Sequence, residues 1–183
     1  MSILLLIIVL LVVIFIALFN RLIRYKNMMR EAWSGIDVQL KRRHDLIPNV
    51  VEAVKGYMQH ERKLFEDITN LRAKVSSTTT VKETGEAEKG LSQVLKNIFA
   101  VAEAYPDLKA NQNFLALQKG LSEIEDQLQL ARRYYNGTVR NYNIAVQTFP
   151  GTLVANAFNF KEAEFFEIEY ATERQVPDVK FET

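Results

Sequence analysis

Two histidines, 22 carboxylates and no cysteine are the groups from which this 183-residue chain could build a metal site or an acid–base pair. A di-iron centre in a helical bundle combines Glu ligands with two Glu-x-x-His motifs, because that spacing puts both side chains on one helix face. The residues three before His44 and His60 are Lys41 and Tyr57, so the motif is absent. The histidines stand sixteen residues apart without a His-Glu-x-x-His pattern, which leaves a zinc site short of ligands. Without cysteine there is no thiolate zinc site, iron–sulfur cluster, thiol nucleophile or lipidated-cysteine anchor. A Gly-rich phosphate loop and a Gly-x-Ser-x-Gly elbow are missing as well. The chain therefore reads as a non-enzyme, with no catalytic, cofactor-binding or metal residues and no cofactor.

The remaining polar pattern is a stripe of Gln118, Glu125, Arg132, Asn136 and Asn143, spaced seven, seven, four and seven. It runs one residue beside an apolar seam: Phe114, Leu117, Leu121, Ile124, Leu128, Ala131, Tyr135, Thr138, Tyr142, Ala145 and Phe149. Such positions border a core. The expected role is a structural polar network that fixes helix register, with Arg43, Asn49 and Glu103 as partners. A partner-binding face and a ligand or metal site are its alternative uses. Tyr105, Tyr134, Tyr135 and Tyr142 read as amphipathic core aromatics. The run Lys41-Arg42-Arg43 reads as a helix end, with Arg42 solvated.

Long helices must position that stripe. The seam keeps a heptad-like spacing over about five heptads and predicts a helix from Asn111 to Phe149, closed by Pro150-Gly151. A three-four repeat from Ile47 to Val75 predicts a second helix, with Asp45 as N-cap and Pro48 in its first turn. The polar segment Ser76 to Gly85 predicts a loop, and a shorter helix through Leu91, Leu95, Ile98 and Ala102 stops at Pro106. Seven Gly and four Pro are few enough to favour long helices over short strands.

Ile3 to Phe19 are seventeen consecutive apolar residues, roughly 26 Å as a helix and close to the thickness of a bilayer core. Uninterrupted Leu/Ile/Val density leaves no polar face, which argues against a buried core helix. The flanks lack the basic start and small-residue cleavage site of a signal peptide, so the segment reads as a retained anchor. Arg21, Arg24 and Tyr25 are the expected membrane-interface residues. Apolar positions Tyr25, Met29, Ala32, Ile36 and Leu40 carry the first helix out of the membrane to His44. Arg21, Arg24, Lys26 and Arg30 follow the run and no Lys or Arg precedes it, so the positive-inside rule puts a short N-terminus outside and the bundle in the cytoplasm. A net charge of +1 gives no electrostatic case for nucleic acid.

The fold class is then all-α: a transmembrane anchor at 1–24, an antiparallel bundle of about four helices at 25–160, and an extended or β-forming tail at 161–183. In the tail Phe166, Ile168 and Tyr170 alternate with Glu167 and Glu169, and Val179 and Phe181 alternate after Pro177, the period of half-buried strands. An isolated pair is marginal in water. These five residues are expected to pair between protomers of a homo-oligomer or onto a partner.

Four segments carry a resemblance that periodicity does not supply. They are Arg43-His44-Asp45-Leu46-Ile47-Pro48-Asn49-Val50-Val51, Ala102-Glu103-Ala104-Tyr105-Pro106-Asp107-Leu108-Lys109-Ala110-Asn111 with Phe114, Ala131-Arg132-Arg133-Tyr134-Tyr135-Asn136 with Val139, Tyr142 and Asn143, and Phe149-Pro150. With the anchor, they resemble the LemA family of bacterial membrane proteins over residues 1 to 160, whereas the tail beyond Phe160 carries nothing characteristic. The resemblance implies an inner-membrane antiparallel bundle with a very short external N-terminus and no established catalytic activity. It also points to a membrane zinc metalloprotease of the envelope-stress system as a partner, and to relatives that serve magnetosome membranes. The expected function is a noncatalytic scaffold or adaptor that self-assembles and engages other membrane proteins. The alternatives are a ligand-binding sensor or enzyme using the polar stripe, and a membrane-shaping polymer.

Overall fold

Leu22, Ala32, Ile36, Leu40, Arg43, Ile47, Val50 and Val54 are all buried, and their three-four spacing makes one stripe along a single helix, α1 (Ser2–Lys55). The computed structural model describes residues 2–57, 61–78 and 80–166. At 54 residues α1 is about 81 Å long. Pro48 lies inside it, where the expected break at His44-Asp45 does not occur. An interior proline costs about 3 kcal/mol. Ile47, Val50 and Val54 are each about 99–100% buried, and at roughly 1.5–3 kcal/mol apiece their burial outweighs that cost.

The chain reverses after Lys55 into α2 (Arg62–Ser76) and again into α3 (Val81–Ala102). The expected loop at Ser76 to Gly85 is shorter than its composition implied. Thr80 caps α3 by accepting from the Glu83 amide while the Glu83 side chain accepts from the Thr80 amide, a capping box legible as Thr-x-x-Glu. Pro106 opens the short α4 (Pro106–Lys109), and the Asn111 side chain accepts from Asn113 and Phe114 amides to start α5 (Gln112–Gln147). After Pro150 comes α6 (Gly151–Ala157). Asn159 then takes a left-handed conformation (φ 55°), which asparagine tolerates, and an extended segment follows to Phe166.

Residue numbers fall along α5 as they rise along α1: Leu22 packs with Tyr142 and Val146, Leu40 with Leu128, and Ile47 with Leu121. The two are antiparallel. Far from the N-terminus, α2, α3 and α4 complete a core with Ile68, Leu91, Leu95, Ile98, Leu108 and Phe114. Nearer the N-terminus the third layer is the extended segment and α6, which supply Phe166, Val154 and Ala155. The α5 seam is covered within the chain from Phe114 to Val146, and its last member, Phe149, is left exposed. In contrast, every residue from Ile3 to Ile16 is exposed, and an 18-residue window here is long and apolar enough to cross a bilayer with none of it buried in the protein. A contiguous surface of that kind requires apolar surroundings.

Candidate functional site

Two constellations gather the polar side chains. The first lies where α1, α3 and α5 meet. Arg43, buried on α1, reaches Glu88 Oε2 on α3 at 3.3 Å, Ser92 Oγ at 2.8 Å and Glu125 Oε2 on α5 at 3.0 Å. Glu88 has no exposed surface, and its other oxygen lies 3.1 Å from His44 Nε2. Arg132 stands 3.8 Å from Glu125 Oε1. Two guanidiniums therefore alternate with two carboxylates across three helices. A buried carboxylate is tolerable only with such partners. On the solvent side of His44, α1 and α2 frame an open groove of about 910 Å³ lined by Lys41, Asp45, Pro48, Glu52 and Arg72 among others.

Sequence reasoning named Arg43, Glu125 and Arg132 in this centre but missed Glu88, His44 and Ser92. Glu88 carried a signal. It occupies a position in the buried repeat Thr84, Glu88, Leu91, Leu95, Ile98 and Ala102, where a carboxylate has to be paired. Of the other five proposed members, three stand apart: Asn49 and Gln118 are exposed, and Glu103 is an exposed partner of Lys109.

The second constellation holds the extended segment. Asn143 accepts from the Ala163 amide at 2.8 Å and donates to the Ala163 carbonyl at 3.0 Å. Asn136, one heptad earlier, does the same to Phe166 at 2.8 and 3.0 Å. Beside each asparagine a tyrosine donates to a carbonyl: Tyr142 to Lys161 at 2.9 Å and Tyr135 to Glu164 at 3.0 Å. Seven helical residues rise about 10.5 Å and three extended ones about 10 Å, so the paired Tyr-Asn repeat matches every third backbone unit of the tail. Burial first, and then the Glu164 carboxylate, raise the Tyr135 phenol above its ordinary value, which keeps it a neutral donor. The stripe residues Asn136 and Asn143 are thus backbone clamps instead of members of the ionic network.

The tail expectation needs correction at Phe166. Its ring is 2% exposed, packed on Trp33 with centroids 6.0 Å apart and beneath the Arg132 guanidinium at 4.9 Å. It belongs to its own chain's core and is not available to a neighbouring protomer. The clamps supply both hydrogen bonds that a strand neighbour would, and no strand occurs among the described residues. Ile168, Tyr170, Val179 and Phe181 lie outside the described residues. At the other end, Arg21 and Arg24 are exposed beside the half-buried Tyr25, with Arg21 5.6 Å from the Tyr25 ring centre.

Residues 32–181, which include both constellations and begin after the apolar run, match the family model of LemA. The chain belongs to the LemA family. The match runs through the tail to residue 181, so the tail is part of the LemA pattern, contrary to the expectation that nothing beyond Phe160 is characteristic. Protein LemA of Metamycoplasma hominis is 27% identical over 149 residues, which cover 81% of this chain and 68% of that protein. Magnetosome protein MamQ 2 of Paramagnetospirillum magneticum is 25% identical over 160 residues, covering 73% of this chain and 59% of the relative. Magnetosome protein MamQ of Magnetospirillum gryphiswaldense is 22% identical, with 73% and 58% covered. The match to the two magnetosome proteins spans about six tenths of their length.

Proposed function

We propose that this LemA-family chain is a noncatalytic, membrane-anchored scaffold that assembles with copies of itself and engages other membrane proteins. One observation carries the reading: the groups suited to chemistry are engaged with each other or with the backbone. Glu88 is fully buried between Arg43 and His44, Glu125 is bridged to Arg43 and Arg132, and Asn136 and Asn143 use both their amide atoms on the tail. These pairings fix how three helices and one extended segment lie together, which is what a rigid scaffold requires.

The anchor is the exposed apolar part of α1, spanning a bacterial cell membrane with the bundle in the cytoplasm. The charge asymmetry around it supports that orientation. Self-assembly is supported by Val38 on α1 and Leu130 and Tyr134 on α5, apolar side chains that remain more than half exposed in the α1–α5 pair outside the apolar run. Partnership with a membrane metalloprotease follows from the family resemblance, and the names of the magnetosome relatives are consistent with a role in organising membranes.

Mass photometry of the full chain in mild detergent tests the reading. A multiple of the protomer mass is expected, falling to one protomer for Leu130→Glu, and a single protomer for the unaltered chain counts against it. Alkaline phosphatase fused after Thr183 should be inactive, and an active fusion reverses the orientation. The ligand-binding or enzymatic alternative would be favoured if Glu125→Ala kept full thermal stability yet lost function in cells.

A further inference from the structure

Between Arg140 and Lys161 twenty consecutive residues carry no Asp, Glu, Lys or Arg, in a chain that is 25% charged. This segment holds the last turns of α5, all of α6 and the corners on either side. Its inner face packs on α1 through Tyr142, Ala145, Val146, Val154 and Ala155, and its outer face is turned away from the bundle. The Phe158 ring lies 5.7 Å from Phe15 and 5.0 Å from Phe19, centroid to centroid, and the Phe149-Pro150-Gly151 corner shares a small recess with Leu18, Arg21 and Leu22. Phe160 sits between Phe19, at 5.9 Å, and the Lys26 ammonium, at 5.6 Å. The segment thus lies beside the end of the apolar run of α1, and it leaves Phe149, Leu153 and Phe158 at 78%, 62% and 50% exposure.

We propose that α6 and its flanking corners form a second membrane contact, a shallow wedge seated at the boundary between headgroups and acyl chains of the leaflet nearest the bundle. The proposal rests on the reading of α1 as a spanning helix. If Asn20 and Arg21 mark the edge of the hydrocarbon, a ring packed between Phe15 and Phe19 is about 5 Å inside it at 1.5 Å per residue. That is the depth at which interfacial helices bury their apolar face. The backbone is suited to such a place, since an apolar medium leaves amides no water to bond. Thr148, Thr152, Leu153, Phe158 and Phe160 all donate their amides to carbonyls within the segment, at 2.9 to 3.2 Å. The Thr148 hydroxyl also turns inward, to the Ile144 carbonyl at 2.7 Å. The first charges on leaving, Lys161 and the nearby Lys26, lie at headgroup level, where a lysine stem can snorkel. Lipid is favoured over a protein partner as the occupant because the exposed side chains continue the exposed apolar surface of α1 at the same height.

The absence of cysteine permits single-site labelling of the full chain with an environment-sensitive fluorophore. Leu10→Cys, Phe149→Cys, Leu153→Cys and Val38→Cys are reconstituted in phosphatidylcholine–phosphatidylglycerol vesicles, with circular dichroism to confirm the fold. Lipids spin-labelled near the headgroup end of the acyl chain should quench the Phe149 and Leu153 labels most, those labelled at the chain centre should quench Leu10 most, and neither should quench Val38. If Leu10 is quenched while Phe149 and Leu153 behave like Val38, the wedge is overturned and the anchor stands. Blue-shifted but unquenched labels at Phe149 and Leu153 overturn it in favour of a second copy covering α6. An unquenched Leu10 overturns the spanning reading and the wedge with it.

Discussion

The two ends of the α1–α5 pair are completed by different means. Far from the N-terminus, α2, α3 and α4 cover it with aliphatic side chains, and each helix satisfies its own backbone. Nearer the apolar run the cover is an extended strip, Lys161 to Phe166, whose amides and carbonyls have no ladder and depend on Tyr135, Asn136, Tyr142 and Asn143. Helical cover asks only for apolar residues of suitable volume, and many side chains meet that demand. Extended cover asks for particular donors and acceptors at a heptad interval. The ionic centre at Arg43 and Glu88 lies where the two regimes meet.

That junction should give the largest response. Arg43→Met leaves buried Glu88 with His44 and Ser92 losing its guanidinium partner, at a cost of about 3–5 kcal/mol in thermal unfolding. Arg43→Met with Glu88→Leu should recover most of it, because the uncompensated charge goes too. Within the helical end, Leu91→Met should cost less than about 1.5 kcal/mol, since volume is nearly conserved. If the double variant is as unstable as the single one, the centre does more than neutralise itself.

At the clamped end, Asn143→Leu keeps size but orphans the Ala163 amide and carbonyl, a loss of about 2–3 kcal/mol from the two bonds and the unmet groups. Because the strip is at the edge, it should open locally. Hydrogen exchange at 161–166 should rise while the α2–α3 end keeps its protection and the helical circular dichroism is unchanged. Equal loss of protection at both ends would show that the ends are not separable.

A smaller, local effect is expected at Gly151. A Cβ there would lie 2.3 Å from the Ala145 carbonyl oxygen, which is backbone and cannot swing aside. Gly151→Ala should cost about 1–3 kcal/mol by overpacking and loosen α6, seen as faster exchange in 151–157 alone. The smallest effect is in pH. Tyr135 has a folded pKa raised above its ordinary 10.0, so its contribution is fully present below that value and is lost as pH rises through the folded one. Tyr135→Phe should flatten this alkaline loss, and an unchanged alkaline profile would place the proton release elsewhere.

How much of this was written in the chain is clearest residue by residue. Periodicity from Phe114 to Tyr142 and the Pro150 stop located α5 closely, since each is a local property of backbone and neighbouring side chains. The apolar run and the missing metal and nucleophile motifs were equally legible. Periodicity shows that a face is buried, but not what buries it. Local preference placed a helix boundary at His44-Asp45, ahead of Pro48, and burial of Ile47, Val50 and Val54 against distant helices removed it. Arg43 meets Glu88 across 45 residues and Asn136 meets Phe166 across 30, separations over which sequence carries no pairing signal of its own. The sequence alone determined which side chains must leave water and where helices can start and stop. Only the tertiary structure decided their partners, because a buried polar group is satisfied by whatever the fold brings within about 3 Å, and that depends on the packing of the whole chain.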